Sequence, residues 1–275
     1  MTNASRFFRL NYGIKSLTDN SYRSINEGAY DVEPEYHLSH EPISIKKSIL
    51  KCQHVPLITE IKLSSPSRGR LGTSINEKTM ITTAQGMIES GAAALSVLTQ
   101  PYLFSGSIKH LARIRKQVEV PVLMKDIIVS EVQIDSAKKI GADCILLIKS
   151  IFDLGLAEGS IERFSNLARS KGLSTLVEVH YEKEFKEVLD NTENYDLIGI
   201  NNRNLGTLET DLEVSMRLLK KYDKAKNVIV SESGIASSEQ ILSLKNAGAD
   251  AFLVGTSIIE SEDISSKVME LCRSY

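Results

Sequence analysis

The chain has few of the residues that mark disulfide-bonded, zinc-binding or membrane-spanning proteins. It contains no tryptophan and only three cysteines, Cys52, Cys144 and Cys272, among 275 residues. Their odd number and wide spacing argue against a disulfide framework or a Cys/His metal site. No apolar run approaches the roughly 20 residues of a membrane span, and the first residues lack the apolar stretch of a secretory signal. We therefore expect a cytoplasmic protein without membrane contact, in which Cys144 is a buried, inert thiol.

The chain also lacks an excess of charge of either sign. Its 33 Lys and Arg residues against 35 Asp and Glu residues give a net charge of −2, which does not favour a nucleic-acid partner. An anionic ligand must then be held by local cations. The five histidines show no ligand spacing, so we expect no histidine-dependent mechanism and place His110 on an exposed helix face.

Short apolar runs, most of them nearly continuous, recur along the chain. Each has the length of a strand, and continuous hydrophobicity is typical of parallel strands that are buried on both faces. The runs are PLITEIK from Pro56, ALSVLT from Ala94, VPVLMKD from Val120, CILLI from Cys144, LSTLVEV from Leu173, LIGINN from Leu197, VIVSES from Val228 and AFLVGT from Ala251.

Segments with helical spacing, such as SIKHLARIRKQV and SSEQILSLKNA, lie between these runs. Gly91, Gly141 and Gly248 each stand where a helix would end just before a strand, in the left-handed conformation that closes helices. Eight alternating units at an even pitch favour a closed (βα)8 TIM barrel. A doubly wound open sheet is the alternative, since periodicity does not prove that the sheet closes into a barrel.

We expect one barrel domain over residues 1–275, with residues 1–55 as an N-terminal helical extension before the first strand. EPISIKKSILKC, from Glu41, predicts a helix across the barrel bottom or beside its mouth. Residues 1–40 are polar, with scattered aromatics and no clear period. We expect them to be only partly ordered.

Charged residues collect at the ends of the predicted strands, where barrels place their chemistry. Glu60 and Lys62 end the first strand and share one face, since residues i and i+2 of a strand point the same way. Lys125 ends the third strand and Glu178 lies on the fifth. One such charge is usually a solvated loop residue or half of an ion pair. Four of them on three strands that barrel closure brings together indicate a functional site.

Glycine and hydroxyl residues end the last strands, after which barrels often bind phosphate through backbone N–H groups. The groups there are Ser231-Glu232-Ser233-Gly234 after the seventh strand and Gly255-Thr256 after the eighth. The loop LSSPSRGRLG after the first strand has the composition of a segment that closes over a substrate, but also that of an ordinary mobile loop.

These motifs together resemble the indole-3-glycerol-phosphate synthase family of tryptophan biosynthesis. The similarity spans roughly residues 41–260 and follows the family's order, through ITEIKLSSPSRG, VPVLMKD, LVEVH, IGINNRNL, SESGI and AFLVGTSI. The resemblance implies that Lys125 is the general acid, that Glu178 is the base of a later proton removal, and that Glu60, Lys62 and Asn201 assist.

The resemblance implies further contacts with the substrate. Ser65, Arg203 and Ser233 would orient it, and its phosphate would lie against Gly234, Gly255 and Thr256. Two positions depart from the family pattern: Leu63 replaces a frequent basic residue, and Ile127 follows Lys125-Asp126 where phenylalanine is usual. These departures affect aromatic packing and anion contact rather than the catalytic set.

The implied substrate is 1-(2-carboxyphenylamino)-1-deoxyribulose 5-phosphate, which closes a ring and loses CO2 and water. Two lysines and two glutamates suit this reaction, which needs no metal and no redox cofactor. A lysine held near other charges can have its pKa lowered enough to give up its proton, and we expect this of the catalytic lysine. Other enzymes of the pathway would be separate partner proteins.

Two alternatives stay open on the residues alone. One is another phosphate-binding barrel enzyme, which would share Gly234 and Gly255. The other is a barrel that binds a phosphorylated metabolite without turnover. Against a pure binding module, Lys125 and Glu178 supply an acid and a base that binding does not need.

Overall fold

The computed structural model describes residues 13–62, 78–191, 193, 195–205 and 207–274 with their side chains, and residues 3–12, 64–65 and 69–70 through their backbone. Within this part of the chain no helix is long and apolar enough to cross a bilayer. A two-stranded antiparallel pair, Ser64–Ser65 with Gly69–Arg70, follows the first barrel strand.

Eight parallel strands close into a barrel in which each strand pairs with its neighbours in chain order and the first pairs with the last. All eight apolar runs are confirmed as strands, and the open-sheet alternative is excluded. The strands are β1 (Leu57–Ile61), β2 (Ala94–Leu98), β3 (Val122–Lys125), β4 (Cys144–Ile148), β5 (Ser174–Val179), β6 (Leu197–Asn201), β7 (Ile229–Glu232) and β8 (Ala251–Val254).

Helices lie between the strands and before the barrel. They are α1 (Asn3–Asn26), α2 (Ile45–Lys51), α3 (Met80–Glu89), α4 (Pro101–Phe104), α5 (Ile108–Arg115), α6 (Glu131–Lys139), α7 (Lys149–Asp153), α8 (Ile161–Ser170), α9 (Glu182–Leu189), α10 (Glu213–Lys221), α11 (Ser238–Ala247), α12 (Thr256–Ile259) and α13 (Ile264–Cys272). The expected left-handed glycines are confirmed at positions 91, 141 and 248.

The side chains of each strand alternate between the barrel interior and the surrounding helices. On β1, Ile58 belongs to a buried cluster with Leu123, Leu146 and Leu176 from other strands. Glu60 shares the face of Ile58 one step further along the strand. The interior therefore changes from apolar in its lower layers to charged at the carboxyl ends of the strands.

Residues 3–26, in which the sequence showed no clear period, form α1, in line with the expected helical extension. The buried face of α1 carries Ile14 but also Thr18, Ser21 and Ser24, each at most 1% exposed. Their hydroxyls donate to backbone carbonyls, as Ser21 Oγ does to Ile127 O at 2.8 Å. Satisfied hydroxyls can be buried at little cost, and a face of small polar residues shows no hydrophobic period.

Helix α2 covers the bottom of the barrel, one of the two positions that the sequence allowed. Ile45 and Ile49 are buried in the same cluster as Ile58, and Ser48 Oγ donates to Ala93 O at 2.7 Å, just before β2. Nearby, Asp143 accepts hydrogen bonds from His40 and Ile43 N of the extension, and from Arg115 and Val122 N. The extension is thus tied to the lower rim.

Two smaller expectations have opposite outcomes. Cys144 is fully buried, as predicted. His110 is not exposed but 6% accessible, because α5 turns this position toward its neighbours together with Leu111 and Ile114.

Candidate active site

A cavity of about 560 Å³ opens at the carboxyl ends of the strands. The residues that line it come from seven strands, β1 to β6 and β8, from α1 and α4, and from the segments that follow β6, β7 and β8. Ten of the eleven predicted site residues lie on its wall: Glu60, Lys62, Lys125, Glu178, Asn201, Arg203, Ser233, Gly234, Gly255 and Thr256. The eleventh, Ser65, has a side chain outside the described residues, as does Leu63.

Lys125 lies at the centre of a buried charge network. Its Nζ is 3.0 Å from Glu232 Oε2 and 3.4 Å from Glu60 Oε2. On its other side, Glu60 Oε1 lies 3.0 Å from Lys62 Nζ. Two cations therefore share two carboxylates across three strands, with Glu60 as the bridge.

The network sets the protonation states of its members. Burial alone would raise the pKa of Glu60, but Lys62 and Lys125 outweigh it and hold the pKa below its usual value. Burial would lower the pKa of Lys125, yet Glu232, Glu60 and Glu178 raise it well above the usual value. The expectation of a lowered lysine pKa is therefore wrong for Lys125 in this arrangement, because carboxylates surround it.

Glu178 points into the cavity from β5 and is held as a carboxylate. Burial works against ionisation, but His180, Lys125 and a hydrogen bond from Asn201 outweigh it and lower the pKa of Glu178 to about 2. Asn201 in turn accepts Arg203 N through Oδ1 at 2.9 Å. An ionised, oriented carboxylate in a largely buried site is suited to accept a proton.

Glu232 was noted at a strand end but given no role by the sequence analysis. It is fully buried, and its pKa is raised to about 7 by burial, with Glu178 and Glu60 adding to the effect and Lys125 opposing it. Its Oε1 makes no hydrogen bond to the described residues, and a Cβ on Gly199 would overlap it. The alternation Val230, Glu232 along β7 was the signal that could have identified it as inward-facing.

The backbone that carries Glu232 is fixed by Asn202. Asn202 Nδ2 donates to Ser231 Oγ, Glu232 O and Ser233 O at 2.9–3.2 Å, while its Oδ1 accepts Ser215 Oγ at 2.8 Å. Both the nitrogen and the oxygen of this buried amide are hydrogen-bonded, so the amide holds the end of β7 in one geometry.

The ends of β7 and β8 form the opposite wall of the cavity. Ser233 and Gly234 both have positive φ, 68° and 83°, so the chain turns sharply after Glu232. Lys62 Nζ donates to Thr256 Oγ1 at 2.9 Å, which places a cation against the first residue of α12. A Cβ on Gly255 would lie 2.7 Å from Glu60 Oε1, so glycine is required for this close approach.

The N-terminal extension reaches the cavity as well. Leu17 of α1 and Ile127 both line it, so the position that departs from the family pattern packs against the extension. Asp126 accepts Tyr30 OH at 2.9 Å, Thr99 Oγ1 and Ile127 N. Burial raises the pKa of Asp126 to about 6 against these donors.

A second, smaller cavity of about 190 Å³ lies behind Asn201 and Arg203. Most of its lining residues carry polar side chains, among them His180, Glu209 and Asp211. Since Asn201 and Arg203 line both cavities, they form the partition between them.

The closed barrel and the charged cavity at its carboxyl end define a (βα)8-barrel enzyme of the kind that acts on small anionic substrates. The family profile described as indole-3-glycerol phosphate synthase matches residues 18–271. The chain belongs to this family.

Curated relatives carry the same name. An indole-3-glycerol phosphate synthase of Methanocaldococcus jannaschii is 41% identical over 258 residues, covering 93% of this chain and 91% of the relative. Another, of Desulforamulus reducens, is 39% identical over 82% of both chains. Among solved structures, thiamine phosphate pyrophosphorylase from Pyrococcus furiosus matches with a TM-score of 0.58 at 15% identity, over 84% of this chain and 97% of that one. That likeness shows the fold alone.

Proposed function

We propose that this chain converts 1-(2-carboxyphenylamino)-1-deoxyribulose 5-phosphate to indole-3-glycerol phosphate, CO2 and water. As a reaction that breaks a carbon–carbon bond to release CO2, it is a carboxy-lyase reaction. The observation that carries the proposal is the buried network in which Lys125 lies between Glu60 and Glu232, in one cavity with Glu178 and the Gly234 and Gly255 turns.

Ring closure comes first. The ring carbon that bears the carboxylate attacks the ribulose carbonyl, and Lys125 gives a proton to the carbonyl oxygen as charge develops there. A cation in a largely water-free site stabilises that charge far more than water does. The raised pKa of Lys125 keeps it protonated before the substrate binds, and the buried Glu232 beside it, with a pKa of about 7, is placed to return the proton.

Decarboxylation and dehydration follow. CO2 leaves, and its bonding electron pair restores the aromatic ring. The new hydroxyl takes a proton from one of the two lysines, Lys62 or Lys125, and departs as water. Glu178 accepts the proton that the five-membered ring loses. The ionised state of Glu178 supports this division of roles, as does its orientation by Asn201. The order in which Lys62 and Lys125 act stays open.

The two anionic groups of the substrate are assigned to this cavity, with the anthranilate carboxylate facing Lys62. The phosphate is held by the turns at Ser233-Gly234 and Gly255-Thr256, where glycine lets backbone N–H groups approach. Lys62, bonded to Thr256, adds a cation at this end. Arg203 and Ser65 complete the substrate contacts.

The test is turnover of the carboxyphenylamino-deoxyribulose phosphate, followed by indole fluorescence and by the CO2 released. Wild type should give equal amounts of both products, and Lys125→Ala should lose about 10³-fold or more in kcat. Lys51→Ala, an exposed lysine at the barrel bottom, is the matched control and should keep wild-type activity. A wild type without turnover refutes the proposed function, and a fully active Lys125→Ala variant refutes the role of Lys125.

A further inference from the structure

His180 is a buried histidine directly behind Glu178. The two residues are two positions apart at the end of β5 and therefore face the same side of the strand. His180 Nε2 lies 3.2 Å from Glu178 Oε1, and both side chains are 3% exposed. An imidazole and a carboxylate at this distance form an ion pair when the ring is protonated.

No other described residue satisfies the ring. Neither nitrogen of His180 has a well-aligned hydrogen-bond partner among the described residues, and the contact with Glu178 is an ion-pair distance rather than a well-directed bond. Burial of an imidazole without hydrogen-bond partners costs free energy of folding unless an opposite charge lies beside the ring. The carboxylate of Glu178 is that opposite charge.

The groups that face His180 are mostly acidic. Glu178, Glu184 and Glu232 raise the pKa of His180 against the effect of burial. Glu184, on α9, accepts His180 N at 2.7 Å and also receives the Ser150 hydroxyl. The cavity behind the ring adds Glu209 and Asp211, and also the cation Arg203.

The cations that face Glu178 are fewer. His180 is the largest opposite charge acting on it, followed by Lys125, while Asn201 contributes a hydrogen bond. Lys125 is already shared between Glu232 and Glu60. His180 therefore adds a second positive charge at an ion-pair distance from Glu178, whereas the described ion pairs of Lys125 are with Glu232 and Glu60.

We propose that His180 is a positioning residue, which keeps the Glu178 carboxylate ionised and directed at the substrate cavity. This inference rests on the proposed function, in which Glu178 is the base. Its consequence is a pH effect. Without the imidazole, burial of Glu178 is opposed only by Lys125 and Asn201, so the pKa of Glu178 rises and less of the base is ionised at acidic pH.

The experiment compares the pH dependence of kcat/KM for wild type and His180→Gln. We expect the acid limb of the profile to move to higher pH by about one unit or more. At pH 7, where Glu178 stays ionised, kcat should fall about tenfold because the carboxylate is no longer held in its direction, with KM nearly unchanged. His37→Gln, which changes an exposed histidine, is the matched control. In a Glu178→Gln background, His180→Gln should add little further loss, because the two residues act as one unit.

A second measurement does not depend on turnover. The pKa of the His180 ring, followed by NMR, should fall in Glu178→Gln relative to wild type. An acid limb that stays in place in an active, folded His180→Gln variant overturns the positioning role and leaves the proposed function intact. A wild type without turnover overturns the proposed function and the catalytic role of the pair together, whatever the NMR titration gives.

Discussion

Replacement of Glu232 by glutamine tests whether the buried network depends on a carboxylate that sequence reasoning left without a role. The substitution keeps shape and removes charge. At 3.0 Å and an effective dielectric constant near 20, the attraction between Lys125 and Glu232 is about 5 kcal/mol before desolvation is subtracted. Glu60, at 3.4 Å from Lys125, stays in place, so Lys125 keeps one anionic partner and its charge.

Two terms oppose each other in the stability of this variant. The lost attraction destabilises the fold, but the raised pKa of Glu232 shows that burial of its charge is itself costly. A group with a raised pKa stabilises the fold below its unfolded pKa, and this contribution is lost as pH rises through the folded value. For Glu232 this stabilising contribution is lost between pH 4.5, the ordinary pKa of a glutamate, and about pH 7, its pKa in the folded protein. We expect a change within about 1–2 kcal/mol at pH 7.

Activity should respond much more strongly than stability. Without Glu232, Lys125 is drawn toward Glu60 and loses the group that returns its proton, so we expect kcat to fall about 10²-fold. The assay is indole fluorescence from about pH 5 to about pH 9, with urea unfolding measured over the same range. Glu89→Gln, at an exposed position at the end of α3, is the control and should behave as wild type.

The outcomes are well separated. A Glu232→Gln variant that keeps kcat within about threefold of wild type refutes the role of Glu232 in supporting Lys125. A loss of stability above about 3 kcal/mol shows that the attraction outweighs the cost of burial, contrary to the balance inferred from the raised pKa.

Two further predictions concern the walls of the cavity. Gly255→Ala places a methyl group 2.7 Å from Glu60 Oε1, so it should displace the Glu60–Lys62 pair, raise KM and lower kcat by about tenfold each in steady-state assays. Tyr30→Phe removes one of the donors to the buried Asp126. It should lower the free energy of unfolding by about 1 kcal/mol, measured in urea, and raise the pKa of Asp126 above about 6.

The glycine substitution has a matched control, and the tyrosine substitution has an outcome that would contradict it. Gly86 on α3, where a Cβ would lie in ordinary contact 3.4 Å from Ser265 Oγ, is a second glycine for replacement by alanine, and its variant should retain wild-type KM. For Tyr30→Phe, an unchanged unfolding midpoint contradicts the contribution assigned to the hydrogen bond.

The sequence by itself determined the eight strands and their alternation with helices, whereas closure of the sheet into a barrel was decided by the tertiary structure. Parallel strands buried on both faces are continuous apolar runs, and this local signal identified all eight, from Leu57–Ile61 to Ala251–Val254. The polar residues that end those strands also had to meet once the barrel closed, which is why Lys125 and Glu178 could be chosen in advance. The helix α1 escaped this reasoning, because its buried face uses the small hydroxyl residues Thr18 and Ser21, which carry no hydrophobic period.

The tertiary structure alone decided the charges within the site. Whether a buried lysine gains or loses basicity depends on how many carboxylates surround it, and the distances from Lys125 to Glu232 and Glu60 join residues 107 and 65 positions apart in the chain. The same holds for Glu178, whose pKa depends on His180 and Lys125. Local sequence orients each side chain relative to its own strand, but the electrostatic potential at a buried atom is a sum over neighbours that only barrel closure brings together.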